Sequence, residues 1–115
     1  MGFDIKWERI QGILVAIILG RIDSSNADEF QRVLDAGTNS ADQALLLDFE
    51  RVSYISSAGL RVGLIMAKQF KAPGKQFGIC ALSGSVREVV VASGFDEIIS
   101  IYESRDAAIG EFKKN

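Results

Sequence analysis

The sequence predicts an α/β protein with one mixed β-sheet and helices packed against it, in the order β-β-α-β-α-β-α-β-α. Two early apolar segments are separated only by Gln11-Gly12, which favours a hairpin. Farther on, short and almost wholly aliphatic runs of strand length alternate with segments whose apolar residues recur every three or four positions. Strands that alternate with helices in this way are typical of right-handed βαβ units and a largely parallel sheet.

The first half of the chain supplies the hairpin, one helix and one further strand. Residues Phe3–Ile10 and Ile13–Ile22 have the composition of strands, and the second is so rich in aliphatic residues that both of its faces are expected to be covered. Residues Asp23–Asn26 offer several helix N-cap side chains, which predicts a first helix from there to Gly37. The apolar run Ala44–Phe49 has the length of a buried strand.

The second half of the chain continues the alternation of strands and helices. Helical spacing predicts a second helix over Ala58–Lys71, which Pro73-Gly74 would end. Residues Ser83–Ser85 are expected to cap a third helix, which would end at Gly94 in a left-handed conformation. The remaining elements predicted are a strand at Phe77–Leu82, a strand at Ile98–Tyr102 and a terminal helix that Ser104 caps and that runs through Phe112.

Length and composition favour one folded domain over residues 1–115. The chain is 48% apolar and 24% charged, which is typical of a globular protein with a single core. Its 13 basic residues are scattered among 15 acidic ones, so neither nucleic acid nor an anionic membrane is expected as the main partner. The apolar stretch Ile13–Leu19 is too short for a membrane helix, which favours a cytoplasmic protein. The sequence leaves the oligomeric state open.

The usual general base of enzymes is absent from the sequence. The chain has no histidine, which excludes a Ser-His-Asp hydrolase, and its single cysteine, Cys80, can form neither an intrachain disulfide nor a Cys-His pair. Residues Ile55–Gly59 are similar to half of a nucleophile elbow, but that turn requires glycine at the position of Ile55. We therefore expect no enzyme activity and no cofactor.

A metal site is not expected either. Several carboxylates near strand ends and on the first helix could hold a metal in principle, but their spacing matches no ligand motif. We interpret them as solvated surface charge: Asp23, Asp28, Glu29, Asp48 and Glu50.

The pair Ser56-Ser57, at the start of the second helix, is the most informative polar feature. A serine there is a favoured N-cap, because its oxygen accepts a hydrogen bond from a free backbone amide. The same geometry suits a phosphate group, which the exposed amides and the positive end of the helix dipole would stabilise. The two roles are compatible, and the residues alone favour the cap.

The segment Leu47–Leu60 carries a resemblance to a known family. It is similar to the signature of the STAS domain family, specifically the stand-alone bacterial anti-sigma factor antagonists: a strand, a short loop, a switch serine and Gly-Leu opening a helix. Residues Gly20–Asp23 and Ser93–Phe95 support the resemblance, which covers nearly the whole chain.

The resemblance implies a phosphoacceptor and a partner surface. In that family the phosphorylated residue lies two positions before the glycine, and Gly59 places it at Ser57. The preceding residue is often aspartate in the family, whereas this chain has Ser56, a second hydroxyl that could also accept phosphate. The expected partner surface contains Asp23, Ser56, Ser57, Ala58, Gly59, Leu60 and Arg61. Two of these have an alternative role, since Asp23 could simply cap the first helix and Arg61 could be an ordinary solvated arginine.

The resemblance also implies a mechanism. The unphosphorylated protein would bind an anti-sigma factor that is also a serine kinase of the GHKL ATPase type, and so release a sigma factor. Phosphorylation by that kinase would end the binding, and a PP2C-type serine phosphatase would restore it. The alternative is another STAS role, such as an accessory subunit of a lipid-transport ABC complex or a scaffold in a stress-signalling assembly.

Overall fold

The structure is a computed structural model and describes residues 2–114. Its strands, numbered in chain order, are β1 (Phe3–Ile10), β2 (Ile13–Ile22), β3 (Ala44–Ile55), β4 (Gln76–Cys80) and β5 (Ile101–Tyr102). Its α-helices are α1 (Ala27–Gly37), α2 (Ser57–Gln69), α3 (Gly84–Ala92) and α4 (Arg105–Phe112), and a 3-10 turn at Phe95–Glu97 follows α3. The predicted order of strands and α-helices is confirmed.

The strands lie in the sheet in the same order as in the chain. β1 is antiparallel to β2, whereas β2, β3, β4 and β5 run parallel to one another. Gln11 and Gly12 join β1 to β2 with φ angles of 51° and 84°. Two consecutive left-handed residues are what a two-residue hairpin turn of type I′ requires, and the glycine adopts this conformation at little cost.

Both faces of β2 are buried, as its composition predicts. Leu14, Ala16 and Ile18 belong to the larger core cluster, together with the apolar side chains of α1, α2 and α3. Ile13 and Val15 belong to the smaller cluster, which α4 covers. The sheet is therefore the middle layer of the molecule, with α4 on one face and the other three helices on the opposite one.

β3 extends beyond the predicted end at Phe49 and continues to Ile55. The sequence does not indicate this continuation because only Val52 and Ile55 of the added residues are buried, while the polar residues between them face solvent. The added segment pairs with β2 as far as Ile22 and Ile55. The pairing of β3 with β4, by contrast, stops at Asp48 and Cys80.

The last predicted strand, Ile98–Tyr102, is wrong over its first three residues. Gly94 has a φ of 78°, as expected for the left-handed end of α3, but the chain then coils into the 3-10 turn. The amides of Ile98 and Ile99 both donate to the carbonyl of Phe95, so they are not available for a strand ladder. β4 likewise ends before the predicted Leu82, because Ala81 has a left-handed φ of 63°.

An ion pair between a buried carboxylate and a partly exposed arginine joins α4 to the sheet. The Oδ2 of Asp48 accepts hydrogen bonds from Nη2 and Nε of Arg105 at 2.9 and 3.2 Å, and its Oδ1 accepts from the amide of Glu50 at 3.0 Å. Arg105 Nη1 also lies 2.6 Å from Oε1 of Glu8 on β1. The interpretation of Asp48 as solvated surface charge is therefore wrong, because its carboxylate is only 4% exposed.

Candidate functional site

The ends of β2 and β3 place the predicted functional residues side by side. Ile22 and Ile55 are partners in the parallel register, and the amide of Ser56 donates to the carbonyl of Ile22 at 2.9 Å. Because parallel strands end at the same edge of a sheet, the loop that begins at Asp23 is next to the start of α2.

Ser56 and Ser57 have different roles at the N-terminus of α2. Ser56 is the N-cap residue: its backbone is extended, and its Oγ accepts a hydrogen bond from the amide of Gly59 at 3.3 Å. Ser57 is the first helical residue, and its side chain is exposed. Its hydroxyl forms no hydrogen bond with any residue in the described part of the chain. The capping role thus falls to Ser56, and the Ser57 oxygen is left accessible.

Gly59 and Leu60 pack the start of α2 against the rest of the protein. A Cβ atom on Gly59 would lie 2.6 Å from Cγ2 of Ile22 and 2.8 Å from Cγ1 of Ile55, so the helix can approach both strands only because this residue is glycine. Leu60 is buried in the larger core cluster. Neither residue is exposed, and within the predicted partner surface they can act only by positioning Ser57 and Arg61.

The loop after β2 is held by its own polar side chains. Asp23 Oδ1 accepts from the amide and from the hydroxyl of Ser25, at 2.9 and 2.6 Å, and the Asp23 amide donates to Oδ1 of Asn26 at 2.8 Å. The hydrogen bond from the Ser25 hydroxyl is the main cause of a lowered pKa at Asp23. Asn26, not Asp23, is the N-cap residue of α1, so the alternative role of Asp23 as a helix cap is wrong. Its ionised carboxylate is held in a loop beside α2.

Arg61 lies one turn after Ser57 on α2. Its side chain is exposed and forms no ion pair with any residue between positions 2 and 114. The guanidinium is therefore free to interact with a group attached to Ser57 or carried by a partner.

Sequence reasoning did not single out two residues at this edge of the sheet, Arg21 and Tyr54. They are partners in the register of β2 and β3, and the guanidinium carbon of Arg21 lies 4.6 Å from the centroid of the Tyr54 ring. Arg21 belongs to the Gly20–Asp23 segment, but the alignment of an arginine with an aromatic residue on another strand depends on the register of pairing, which the sequence does not show.

Among the described residues away from this edge of the sheet, we find neither a metal-binding cluster nor an ionised thiol. Within residues 2–114 no group of three or more acidic, histidine or cysteine side chains could hold a metal ion. Cys80 is fully buried, and burial raises the pKa of its thiol to about 12. It acts as a small apolar side chain in the smaller core cluster. Over the same residues, no helix has the length and apolarity to cross a membrane.

Comparison with known proteins assigns the chain to a family. Residues 4–108 match the family model described as the STAS domain. BtrV of Bordetella bronchiseptica, named as a candidate anti-sigma factor antagonist, is 40% identical over 109 residues, which cover 95% of this chain and 94% of that protein. The anti-sigma F factor antagonist of Paenibacillus polymyxa is 23% identical over 98% of this chain and 97% of its own length.

A solved structure shares the fold at lower sequence identity. The crystal structure of an anti-sigma factor antagonist from Mycobacterium paratuberculosis superposes with a TM-score of 0.84 at 22% identity, over 96% of this chain and 94% of that one. The matching fold, the family model and the 40% identical relative agree, and the chain therefore belongs to the STAS domain family, among relatives named as anti-sigma factor antagonists.

Proposed function

We propose that this protein is an anti-sigma factor antagonist that works in the bacterial cytoplasm by phosphorylation-controlled partner switching, with Ser57 as the phosphoacceptor. The observation that carries the proposal is the position of the Ser57 hydroxyl, exposed and without a hydrogen bond to the described chain at the first residue of α2. In this role the protein is a ligand and a substrate, and it catalyses nothing itself.

In the unphosphorylated state the surface around Ser57 binds an anti-sigma factor that is also a GHKL-type serine kinase, and the sigma factor is released. The kinase then transfers the γ-phosphoryl group of ATP. Ser57 Oγ bonds to the γ-phosphorus as the bond to the bridging oxygen breaks, ADP departs, and the hydroxyl proton goes to a base of the kinase. A PP2C-type phosphatase reverses the change by transferring the phosphoryl group to water.

The start of α2 can hold a phosphate without rearrangement. The first amides of a helix point at its N-terminus and lack intrahelical partners, and the helix dipole favours negative charge there. Ser56 already accepts from the amide of Gly59, so its hydroxyl keeps the helix capped in both states. Phosphorylation is therefore expected to change the surface and to leave the fold as it is.

The test is to incubate the purified protein with ATP and each candidate GHKL kinase, and to locate the phosphate by mass spectrometry. The proposal predicts one phosphate on Ser57 and none on Ser56. If every kinase leaves the protein unmodified, or if the phosphate is found only on Ser56, the proposed switch is wrong. A STAS accessory subunit of a lipid-transport ABC complex would give the first of these outcomes.

Asp23 is expected to contribute directly to binding. Asp23→Asn keeps an acceptor for the Ser25 amide but removes the charge, so the loop should persist while a basic group on the kinase loses its partner. We expect a loss of affinity of about tenfold, which corresponds to ~1.4 kcal/mol. Titration calorimetry with the kinase measures it, and Asp28→Asn on the exposed first turn of α1 serves as the matched control. Equal affinities for Asp23→Asn and wild type would remove Asp23 from the interface.

Arg61 is expected to stabilise the phosphorylated state. Residues four apart on a helix are neighbours, so its guanidinium can form charge-assisted hydrogen bonds with a phosphate on Ser57. Arg61→Ala should therefore speed dephosphorylation by the phosphatase several-fold, because the phosphate is less shielded. Lys68→Ala, which removes a positive charge from the end of the same helix, is the control. If both variants lose phosphate at the wild-type rate, Arg61 has no such role.

A further inference from the structure

Arg21 is a positively charged side chain that the switch mechanism leaves without a role. Its guanidinium lies over the Tyr54 ring, and both residues are exposed. Arg21 forms no ion pair with any residue from 2 to 114. A guanidinium stacked on an aromatic face keeps its N–H donors at the edge of its plane, where they can meet a carboxylate.

The backbone of Arg21 is held on both sides. Its amide donates to the carbonyl of Gly2 at 2.8 Å, and its carbonyl accepts from Nδ2 of Asn26 at 3.0 Å. Gly20, just before it, has a φ of 104° at an irregularity in the pairing of β2 with β3. A side chain that is already oriented loses less conformational entropy on binding than a mobile one, so Arg21 is suited to recognition.

The two carboxylates that line the same pocket as Arg21 have other partners. Asp23 accepts both of its short hydrogen bonds from Ser25, and Glu29 is ion-paired with Arg32. Arg21 contributes to the low pKa of Asp23 through space, but the two side chains are not in contact as an ion pair. The donor edge of the Arg21 guanidinium is therefore open to a group from outside the chain.

We propose that Arg21, oriented by Tyr54, is a specificity-determining residue that receives a carboxylate of the anti-sigma factor. This inference rests on the proposed function and extends it by naming the chemistry of the partner. The partner then carries an acidic group opposite Arg21 and a basic group opposite Asp23. Charges of alternating sign fix the register of an interface, and a related kinase with a basic residue opposite Arg21 would be rejected.

The test titrates the unphosphorylated protein with the anti-sigma factor kinase that binds the wild type. Arg21→Ala is expected to weaken binding about 30-fold, which equals roughly 2 kcal/mol at 1.4 kcal/mol per factor of ten. Arg21→Lys keeps the charge but loses the planar donor edge, and should weaken binding about tenfold. Tyr54→Phe retains the ring and should bind as tightly as wild type.

Arg51→Ala is the matched control. Arg51 is also an exposed arginine of the β2 and β3 pair without an ion pair in the described chain, but it lines the groove beside Asp48 and Arg105. Its removal changes the net charge by the same amount and should leave the affinity unchanged. Arg21→Ala should also reduce the dependence of affinity on salt, a readout that a purely structural role would not alter.

The outcomes separate the two proposals. If no GHKL kinase binds or phosphorylates the wild-type protein, the proposed function fails, and this inference fails with it. If the wild type is bound and phosphorylated at Ser57 but Arg21→Ala binds equally well, the inference alone is overturned. An equal loss of affinity in Arg51→Ala would also overturn it, since the effect would then reflect net charge only.

Discussion

Replacing Ser57 with Asp is expected to weaken binding of the anti-sigma factor kinase at least about 100-fold while the melting temperature stays within a few degrees of wild type. A negative charge at the N-terminus of a helix is favourable by about 0.3–1 kcal/mol, so the isolated domain should lose no stability. In the complex the same charge would be buried against a surface of the kinase that fits a neutral hydroxyl. Burying an uncompensated charge costs several kcal/mol, and each 1.4 kcal/mol is a factor of ten in affinity.

Ser57→Ala should have the opposite effect on regulation. Alanine keeps the surface neutral and is well tolerated at the first position of a helix, so the variant should bind at nearly wild-type affinity and remain bound in the presence of ATP. Ser56→Asn is the matched control, because asparagine preserves the cap while it removes the second hydroxyl. It should still be phosphorylated at Ser57. A Ser57→Asp protein that melts normally and binds as tightly as wild type would contradict the switch.

Arg105→Met is expected to destabilise the fold by about 3–5 kcal/mol, because it leaves the buried carboxylate of Asp48 without its counter-charge. For a domain of this size the loss corresponds to a fall in melting temperature of roughly 10–20 °C. The hydrogen bond with Asp48 also raises the pKa of Arg105, so the guanidinium keeps its positive charge. Thermal unfolding of the purified variant measures the effect.

Two further variants isolate the cause of that loss. Adding Asp48→Asn to Arg105→Met removes the unpaired charge but keeps an oxygen that accepts from the amide of Glu50, so the double variant should regain much of the stability. Arg32→Met breaks only a solvent-exposed pair with Glu29 and should cost about 0.5 kcal/mol or less. A double variant no more stable than Arg105→Met alone would show that the arginine acts through packing and not through its charge.

The sequence predicts the fold where side-chain pattern and local structure agree. The aliphatic run of β2 is buried on both faces, and Ser104 caps α4 as expected. α3 is capped from within the predicted segment Ser83–Ser85, by Ser83. Prediction from the sequence fails where contacts with other parts of the chain determine the secondary structure. The polar end of β3 is a strand because β2 pairs with it, and no periodicity within the segment indicates that pairing.

The candidate site is predictable in its residues and less so in their arrangement. The Ser56-Ser57 pair could be identified as a helix start, but the division of roles depends on which hydroxyl reaches the amide of Gly59. Asp23 could be singled out, yet its bonds to Ser25 result from the geometry of a turn that a sequence does not specify. The pairing of Asp48 with Arg105 joins residues far apart in the chain, so a single sequence gives no sign of it.

The most direct measurement compares the affinity of the anti-sigma factor kinase for two forms of the wild-type protein, unmodified and stoichiometrically phosphorylated at Ser57. Both forms should melt at nearly the same temperature, since the N-terminus of α2 accommodates negative charge. We predict tight binding of the unmodified form and a loss of at least about 100-fold on phosphorylation, because the phosphate adds about −1.5 to −2 charges to the contact surface. Equal affinity of the kinase for the two forms would contradict the proposed switch.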